Sequence, residues 1–316
     1  MRVLERRSAS PGAARDTGWR DRRLRDARRI AAGPLPLLAP VHLLLVSVIV
    51  VPACYVAWLS LTSSTYGRAP TFVGLANYLT VLEDPYFWRA LWHTLVVTVV
   101  VVHVELIVGL GMALLFASGL PGRRVLLAAA LAPYAVSEVT AVVIWRFLFD
   151  PDIGPITLLL HHLGLPGLDW TVSPTAGLAI VSLLSIWLNL PFTFVILYAA
   201  RLALPVQLYE AARVDGATRL QQFRRVTLPL LTPAMLIAVL FRYIVAFRLF
   251  TEVWLMTGGG PARSTEVLAV YLYLNAFSFN EFGQAAATGW LMVAFSLLLA
   301  LFYLYALRRQ MTADAA

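Results

Sequence analysis

The sequence contains no lysine, and all 25 of its basic residues are arginine. A nucleotide-binding P-loop ends in Gly-Lys-Ser or Gly-Lys-Thr, so this chain has no such loop. Any ATP on which the protein depends must therefore be bound by another chain. We expect no cofactor on this one.

Cysteine is almost absent as well, because Cys54 is the only one in 316 residues. A single thiol allows neither an internal disulfide nor a cysteine-based zinc site. Cys54 lies within an apolar run, and we expect it to be a small buried core residue. The pair His161-His162 has no cysteine or carboxylate at ligand spacing, so the sequence predicts no metal site.

Charged residues are few: they make up 13% of the chain, whereas hydrophobic residues make up 60% and the mean hydropathy is +0.76. About a quarter of the residues of a soluble domain are charged. Apolar runs long enough to cross a bilayer, about 20 residues each, recur along the chain. They predict an all-α integral membrane protein with about six transmembrane helices, at 35–61, 91–117, 124–148, 174–200, 230–256 and 284–307.

The arginines are concentrated on one predicted side of the membrane. Ten of them lie in the first 29 residues, just before the first span. Positively charged segments next to a span stay in the cytoplasm, so both termini of a six-span chain are predicted to be cytoplasmic. The expected parts are an Arg-rich N-terminal arm at 1–33, partly disordered, a transmembrane domain at 34–309 with a polar cytoplasmic loop at 201–229, and a short cytoplasmic tail at 310–316.

The loop at 201–229 has the pattern of two short helical arms. Pro205 suits the start of a helix, and residues 206–214 are all compatible with one. Asp215-Gly216 stops the first arm, because glycine accepts the left-handed backbone of a sharp exit. A second arm begins at Ala217 and is predicted to end at Pro229. These properties alone also fit an amphipathic loop resting on the membrane surface.

The residues of this loop match a more specific pattern, Glu210-Ala-Ala-Arg-Val-Asp-Gly-Ala217, with Phe223 and Leu228-Pro229 downstream. It resembles the EAA loop of the permease subunits of ATP-binding-cassette (ABC) importers. In that family the loop forms a coupling helix that docks in a cleft of the ATPase subunit. Small alanine side chains suit such close contact between a helix and a groove.

The resemblance implies a role for each matching residue. Glu210, Ala211 and Ala212 would face the ATPase. Gly216 would make the turn into Ala217, and Asp215 would cap the second arm. Phe223 and Leu228 would pack the loop under the spans, up to Pro229.

A second stretch, Thr257-Gly258-Gly259-Gly260-Pro261, lies in a predicted outer loop, since three glycines and a proline disfavour a helix. It is similar to a motif of sugar importer permeases of the maltose and glycerol-phosphate type, in the MalF-like subunit. The resemblance covers about residues 35–307. It implies a bacterial inner-membrane transport subunit without catalytic activity, for a di- or oligosaccharide or a sugar derivative, glycerol-phosphate included.

The same resemblance implies several partners. A second homologous permease would complete the pathway, two ATPase subunits would bind ATP and Mg²⁺, and an extracytoplasmic sugar-binding protein would deliver the solute. The lipid bilayer surrounds the chain, and no nucleic acid is expected. An ABC permease for a non-sugar solute stays an alternative.

Polar side chains at membrane depth are costly and usually face a cavity or a partner. Asn189, Tyr243, Arg248 and Glu252 are the candidates for a substrate pathway, and Arg248 and Glu252 are four residues apart, so one helix face would allow them to pair. An ion pair between helices, or an arginine that reaches the outer interface, is the structural alternative. His103, Glu105 and Glu138 raise the alternative of a proton-coupled carrier, although hydrogen bonding between helices is the favoured interpretation.

Overall fold

The computed structural model describes residues 35–165, 167 and 169–313, and the arm predicted at 1–33 lies outside them. The chain divides after Val56 into two units. The described part of the first unit is helical: α1 (Leu35–Leu45), a π turn (Val46–Val50) and the start of α2 (Val51–Ser60). Cys54 on α2 is exposed, so the prediction of a buried thiol is wrong. Within α2 only Ser60 is buried, and Cys54 lies on a side of the helix that no described residue covers.

The second unit opens with a two-stranded antiparallel hairpin, in which Thr62 pairs with Phe72. The rest is helical, with short 3₁₀ or π turns at Ala132–Ala135, Phe223–Thr227 and Leu274–Ser278. Its elements are β1 (Thr62–Ser63), β2 (Thr71–Phe72), α3 (Ala76–Glu83), α4 (Pro85–Ala117), α5 (Arg123–Leu131), α6 (Glu138–Leu148), α7 (Pro155–His162), α8 (Pro174–Leu202), α9 (Val206–Val214), α10 (Arg219–Gln222), α11 (Leu228–Ala246), α12 (Thr251–Met256), α13 (Leu268–Tyr273) and α14 (Phe282–Ala313).

Two long helices begin with the same local device, a capping side chain followed by proline. The Tyr86 amide donates to Asp84 Oδ1 over 2.8 Å at the start of α4, and the Ala176 amide donates to Ser173 Oγ at the start of α8. The caps satisfy amides that have no partner within the helix. Pro85 and Pro174 then occupy the first turn, where the missing N–H costs nothing.

Five helices are long and apolar enough to cross a membrane: Leu38–Ser60, Pro85–Ala117, Pro174–Leu202, Arg219–Ala246 and Phe282–Tyr303. A bent pair, Arg123–Ala135 with Glu138–Leu148, brings the number to six if it counts as one span. The all-α membrane fold is therefore confirmed. The prediction of one continuous span at 124–148 is wrong, because the chain bends by 100° at Val136 and Ser137, after a 3₁₀ turn that contains Pro133.

The span predicted at 230–256 is wrong at both ends. The helix begins at Arg219 and ends at Ala246, and residues 247–250 separate it from α12. Pro229 therefore does not end the second arm, which continues into α11. Pro229 is the second residue after the π turn Phe223–Thr227. The hydrogen-bond ladder is already shifted there, so the helix tolerates the missing N–H.

The helices α4 and α8 pack closely along their length and form the centre of the second unit. Gly109 of α4 permits this approach, since a Cβ there would lie 3.2 Å from the Thr193 methyl and 3.3 Å from the Phe194 amide nitrogen. Small residues allow membrane helices to approach in this way. The close contact places Glu105, one turn before Gly109, in the interior beside α11.

Candidate substrate pathway and coupling loop

A buried ion pair joins α4 to α11 at membrane depth. Arg242 donates through Nε and Nη2 to the two oxygens of Glu105, at 2.5 and 2.8 Å, and both side chains are almost fully buried. Its Nη1 donates to Asn189 Oδ1 of α8 at 3.0 Å. A planar guanidinium suits this two-pronged contact, because its N–H groups match both carboxylate oxygens. One arginine thus links three helices.

A polar cavity of about 350 Å³ opens beside this network. It lies where two helices are interrupted, at the bend before α6 and at the break between α11 and α12. Interrupted helices form the solute sites of many transporters, because their irregular backbone is tolerated only where it borders a cavity or protein. Its polar lining consists of Glu138, Ser185, Asn189, Arg242, Arg248, Thr251 and Glu252.

Three of the four predicted pathway residues line this cavity: Asn189, Arg248 and Glu252. The fourth, Tyr243, does not line it, and its assignment to the pathway stays a prediction. It points to another side of α11, where its ring lies edge-on to His103 and near Tyr303. Successive residues of a helix point about 100° apart, so Tyr243 cannot follow Arg242 into the cavity.

The predicted ion pair between Arg248 and Glu252 is also wrong. Spacing of four residues brings side chains together only on a continuous helix, and residues 247–250 are not helical. In the described part of the chain the two ion pairs are Arg242–Glu105 and Arg263–Glu266. Glu252 is buried at the cavity wall, where the charges of Glu138 and Arg242 both act on it. Arg248 is exposed.

The sequence does not predict Glu138 and Ser185 as part of this site. Ser137-Glu138 lies a few residues after Pro133, and a serine followed by an acidic residue is typical of a helix start. This pattern could have indicated the bend before α6. Ser185 gave no signal, because a serine inside a span usually bonds its own helix.

The groups proposed for a proton relay lie apart. Glu105 is bound by Arg242, and His103 bonds the Val99 carbonyl of its own helix at 2.8 Å. Glu138 lies at the cavity. Hydrogen bonding between helices, the favoured interpretation, is confirmed for Glu105.

The two-armed loop forms as predicted for its first arm, α9, and for the turn at Gly216, whose φ is +76°. The amide of Ala217 donates to the Ala212 carbonyl at 2.8 Å and that of Gly216 to the Arg213 carbonyl at 3.0 Å. These are the two hydrogen bonds of a Schellman motif, which requires left-handed backbone at its glycine. Glu210, Ala211 and Asp215 are exposed, Ala212 and Ala217 half-buried.

The second arm is capped by Thr218, so the assignment of the cap to Asp215 is wrong. Thr218 Oγ1 accepts from the Gln221 amide at 3.3 Å, and Gln221 Oε1 accepts from the Thr218 amide at 2.8 Å. This reciprocal capping box needs partners three residues apart. Asp215 instead ends α9. Phe223 and Leu228 are half-buried at the base of the loop.

The outer stretch Thr257–Pro261 is a set of turns, as predicted. Gly258 and Gly259 have positive φ, 62° and 82°. Thr265 fastens the loop: its hydroxyl lies 2.8 Å from that of Thr257 and donates to the Gly260 carbonyl at 2.7 Å.

Beyond these turns, Arg263 makes a two-pronged ion pair with Glu266, at 2.5 and 2.8 Å, and lies 3.9 Å above the Tyr86 ring. The hydrogen bonds that Arg263 donates to Glu266 raise the pKa of the Arg263 guanidinium. This pair lies outside the membrane spans and fixes the loop against the start of α4.

Interrupted spans around a polar cavity, with an exposed two-armed loop at the end of one span, define a transport permease. Residues 105–312 match the family described as the binding-protein-dependent transport system inner membrane component, and the chain belongs to this family. It is thus a multi-pass inner-membrane subunit of an ABC importer, and the motif resemblance is confirmed.

Several curated relatives are similar over most of the chain. The sulfoquinovosyl glycerol transport system permease protein SmoG of Agrobacterium fabrum is 37% identical, over 86% of this chain and 89% of that protein. The trehalose/maltose transport system permease protein MalF of Thermococcus litoralis is 34% identical, over 80% and 84%.

Among solved structures, a chain of a bacterial ABC transporter involved in the import of the acidic polysaccharide alginate has the same fold. Its TM-score is 0.76 at 21% identity, over 92% of this chain and 98% of that one. The identity is low, so this likeness concerns the fold alone.

Proposed function

We propose that this chain is the permease subunit of a bacterial sugar importer and forms the membrane pathway together with a second, homologous permease. The observation on which this rests is the cavity at which Asn189, Arg248 and Glu252 meet between interrupted helices. The relatives are named for trehalose, maltose and sulfoquinovosyl glycerol, which supports a disaccharide, an oligosaccharide or a sugar derivative as the solute.

The side chains of the cavity suit a solute with many hydroxyl groups. The carboxylates of Glu138 and Glu252 accept hydrogen bonds from hydroxyls, Arg248 donates them, and Asn189 has both functions. A sugar offers both hydrogen-bond donors and acceptors, so it can pair with the polar groups of this mixed lining. An apolar solute cannot, and the lining would then lose its hydrogen bonds to water without replacing them. This chemistry favours a polar solute over an apolar one, and the names of the relatives favour a sugar over another polar solute.

The exposed side of the two arms serves in this proposal as the contact with an ATPase subunit. Glu210, Ala211 and Asp215 are exposed, and Val214 has 87% of its surface exposed, so all four side chains are accessible to a partner. Two ATPase subunits bind ATP and Mg²⁺, and a sugar-binding protein delivers the solute from outside. Both termini of the chain are then cytoplasmic. Closure of the ATPases moves the arms, and rocking of the two permeases exposes the cavity alternately to either side.

Gly216 offers the sharpest test of this coupling. Its φ of +76° is strained for any residue with a Cβ, while no other atom lies within 4 Å of the position that a Cβ would take. Gly216→Val therefore distorts the turn without a steric clash, at a cost of about 1–3 kcal/mol. We expect uptake of labelled trehalose or sulfoquinovosyl glycerol by cells with the complete importer to fall at least about tenfold, with unchanged membrane insertion.

Gly119 provides the matched control, because its φ is +85° and it also has free space around it. Gly119→Val imposes the same backbone strain in a loop outside the arms, and we expect it to retain most of the uptake. Normal uptake by the Gly216→Val importer would contradict the proposal that this loop couples the permease to the ATPase. Uptake that collapses with an uncoupler at constant ATP would instead favour the proton-coupled alternative.

A further inference from the structure

A cavity of about 610 Å³ lies behind the two arms, on the side that faces the ends of the spans. Its walls are the last turn of α4, the end of α8 and the inner sides of both arms. The residues that line it are Leu114, Ala117, Ser118, Arg201, Val206, Tyr209, Arg213, Arg219, Gln222, Phe223 and Thr227. Its volume falls within the range of small-molecule sites, about 300–1,000 Å³.

The charge of this cavity is entirely positive. Three arginines line it, and its lining contains no carboxylate. Arg201 lies 4.5 Å above the ring of Tyr209, and Arg213 Nε donates to the Tyr209 carbonyl at 3.3 Å. The side chain of Arg219 makes no hydrogen bond or ion pair with the residues that the structure describes. Guanidinium groups with free donors thus lie around one cavity that is open to solvent, since Arg213 and Arg219 are exposed.

The walls of the cavity are held in place by one hydrogen bond between the arms and one within the second arm. The hydroxyls of Tyr209 and Thr227 are 3.0 Å apart, and Gln222 Nε2 donates to the Ala217 carbonyl at 2.9 Å. Val206, Tyr209 and Arg213 recur at helical spacing and turn one side of α9 toward the cavity. None of the residues of the proposed ATPase contact, Glu210, Ala211, Val214 and Asp215, lines the cavity.

We propose that this cavity binds a ligand with a phosphate group, either the headgroup of an anionic phospholipid or a soluble phosphate ester. The planar fork of arginine matches the oxygens of phosphate in a two-pronged contact. Basic pockets between the ends of membrane spans also suit acidic lipid headgroups. The site requires only the cavity, so it stands independently of the transported solute. A ligand there braces the arms against α4 and α8 and controls how freely they move.

The test compares two double variants of equal charge in the purified full-length chain. Arg213→Gln with Arg219→Gln removes two cavity arginines. Arg224→Gln with Arg225→Gln removes two exposed arginines of the same segment that do not line the cavity. Native mass spectrometry counts phosphatidylglycerol and phosphatidylcholine bound in detergent. Calorimetry measures the binding of inorganic phosphate and glucose 6-phosphate.

We expect at least about tenfold weaker binding of one phosphate ligand in the cavity pair and less than about twofold change in the exposed pair, since each charge-assisted hydrogen bond lost lowers affinity about tenfold. Loss of phosphatidylglycerol identifies the lipid as the source, and loss of glucose 6-phosphate or phosphate identifies a soluble ligand. Equal losses in both pairs, or binding by neither the wild type nor the variants, overturn the proposal. Should the cavity pair not fold, Arg219→Gln alone replaces it, because that side chain has no hydrogen bond or ion pair to lose within the described residues.

Discussion

At the scale of single residues, Arg242 has the greatest influence on the interior. Its guanidinium neutralises Glu105 on α4 and bonds Asn189 on α8. Desolvation of two charges is expensive, and a buried pair recovers that cost only with good geometry and further hydrogen bonds. The two-pronged contact and the third bond to Asn189 meet this condition. The pair therefore fixes the register of α11 against two neighbours.

Removal of the guanidinium alone should destabilise the protein. Arg242→Met leaves Glu105 buried without a counter-charge, and we expect a loss of about 3–5 kcal/mol. Thermal unfolding of the detergent-solubilised chain measures it. Arg248→Met is the control, since Arg248 is exposed and its replacement should change stability by less than about 0.5 kcal/mol.

The double variant Arg242→Met with Glu105→Met separates the two contributions of this pair. An apolar pair of similar volume avoids the isolated charge, so we expect it to recover most of the stability lost by Arg242→Met. If the double variant is no more stable than the single one, the unpaired charge is not the cause.

At the scale of elements, the start of α14 depends on one close contact. A Cβ on Gly283 would lie 2.3 Å from the Thr62 carbonyl oxygen and 2.8 Å from the Asn77 amide nitrogen. Asn77 Nδ2 donates to the carbonyls of Ser60 and Thr62 at 2.8 and 2.9 Å. The hairpin, α3 and α14 thus meet at a point that has room only for glycine.

Gly283→Ala should therefore destabilise this junction. The alanine methyl meets backbone, which cannot turn aside as a flexible side chain would, and we expect a loss of at least about 1–3 kcal/mol. Gly289→Ala is the control in the same helix, where the nearest atom to a Cβ is a Leu272 methyl at 3.5 Å. There, alanine should leave stability equal or raise it by up to about 1 kcal/mol. Thermal unfolding of both variants measures the difference in stability. Equal stability of the two variants would contradict the predicted clash at Gly283.

The sequence was sufficient to predict the elements that depend only on residues close together in the chain. Average hydropathy locates the spans, and Gly216 marks its own turn because only the left-handed backbone needs a glycine there. The break at residues 247–250 has no such signal, since Phe247-Arg-Leu-Phe250 contains neither glycine nor proline. The partner of Arg242 lies 137 residues away in the chain. Which faces of two helices meet depends on packing, so the sequence suggested a wrong neighbour, Glu252, for Arg248.

At the scale of the whole molecule, the arginine distribution predicts which side of the membrane each loop occupies. The single native thiol makes this easy to test. In a Cys54→Ala background, Val214→Cys probes the two-armed loop and Tyr66→Cys the first outer loop, and both native side chains are highly exposed, at 87% and 79%.

A membrane-impermeant maleimide added to intact spheroplasts should label Tyr66→Cys and leave Val214→Cys unlabelled, because charged reagents do not cross the bilayer. Both positions should be labelled after permeabilisation. The reverse pattern would place the two-armed loop outside and contradict the proposed contact with a cytoplasmic ATPase.

The unbroken helix from Arg219 to Ala246 has one more consequence. Its 28 residues extend about 42 Å, and they join the arm at one end to the Arg242 network at the other. Energetic coupling between two sites is reciprocal. If a partner bound at the arm changes the affinity of the cavity beside Arg242 for solute, a bound solute changes the affinity of the arm for that partner by the same factor. In the proposed importer, this helix would therefore allow the ATPase subunit to respond to whether a solute is bound in the cavity beside Arg242.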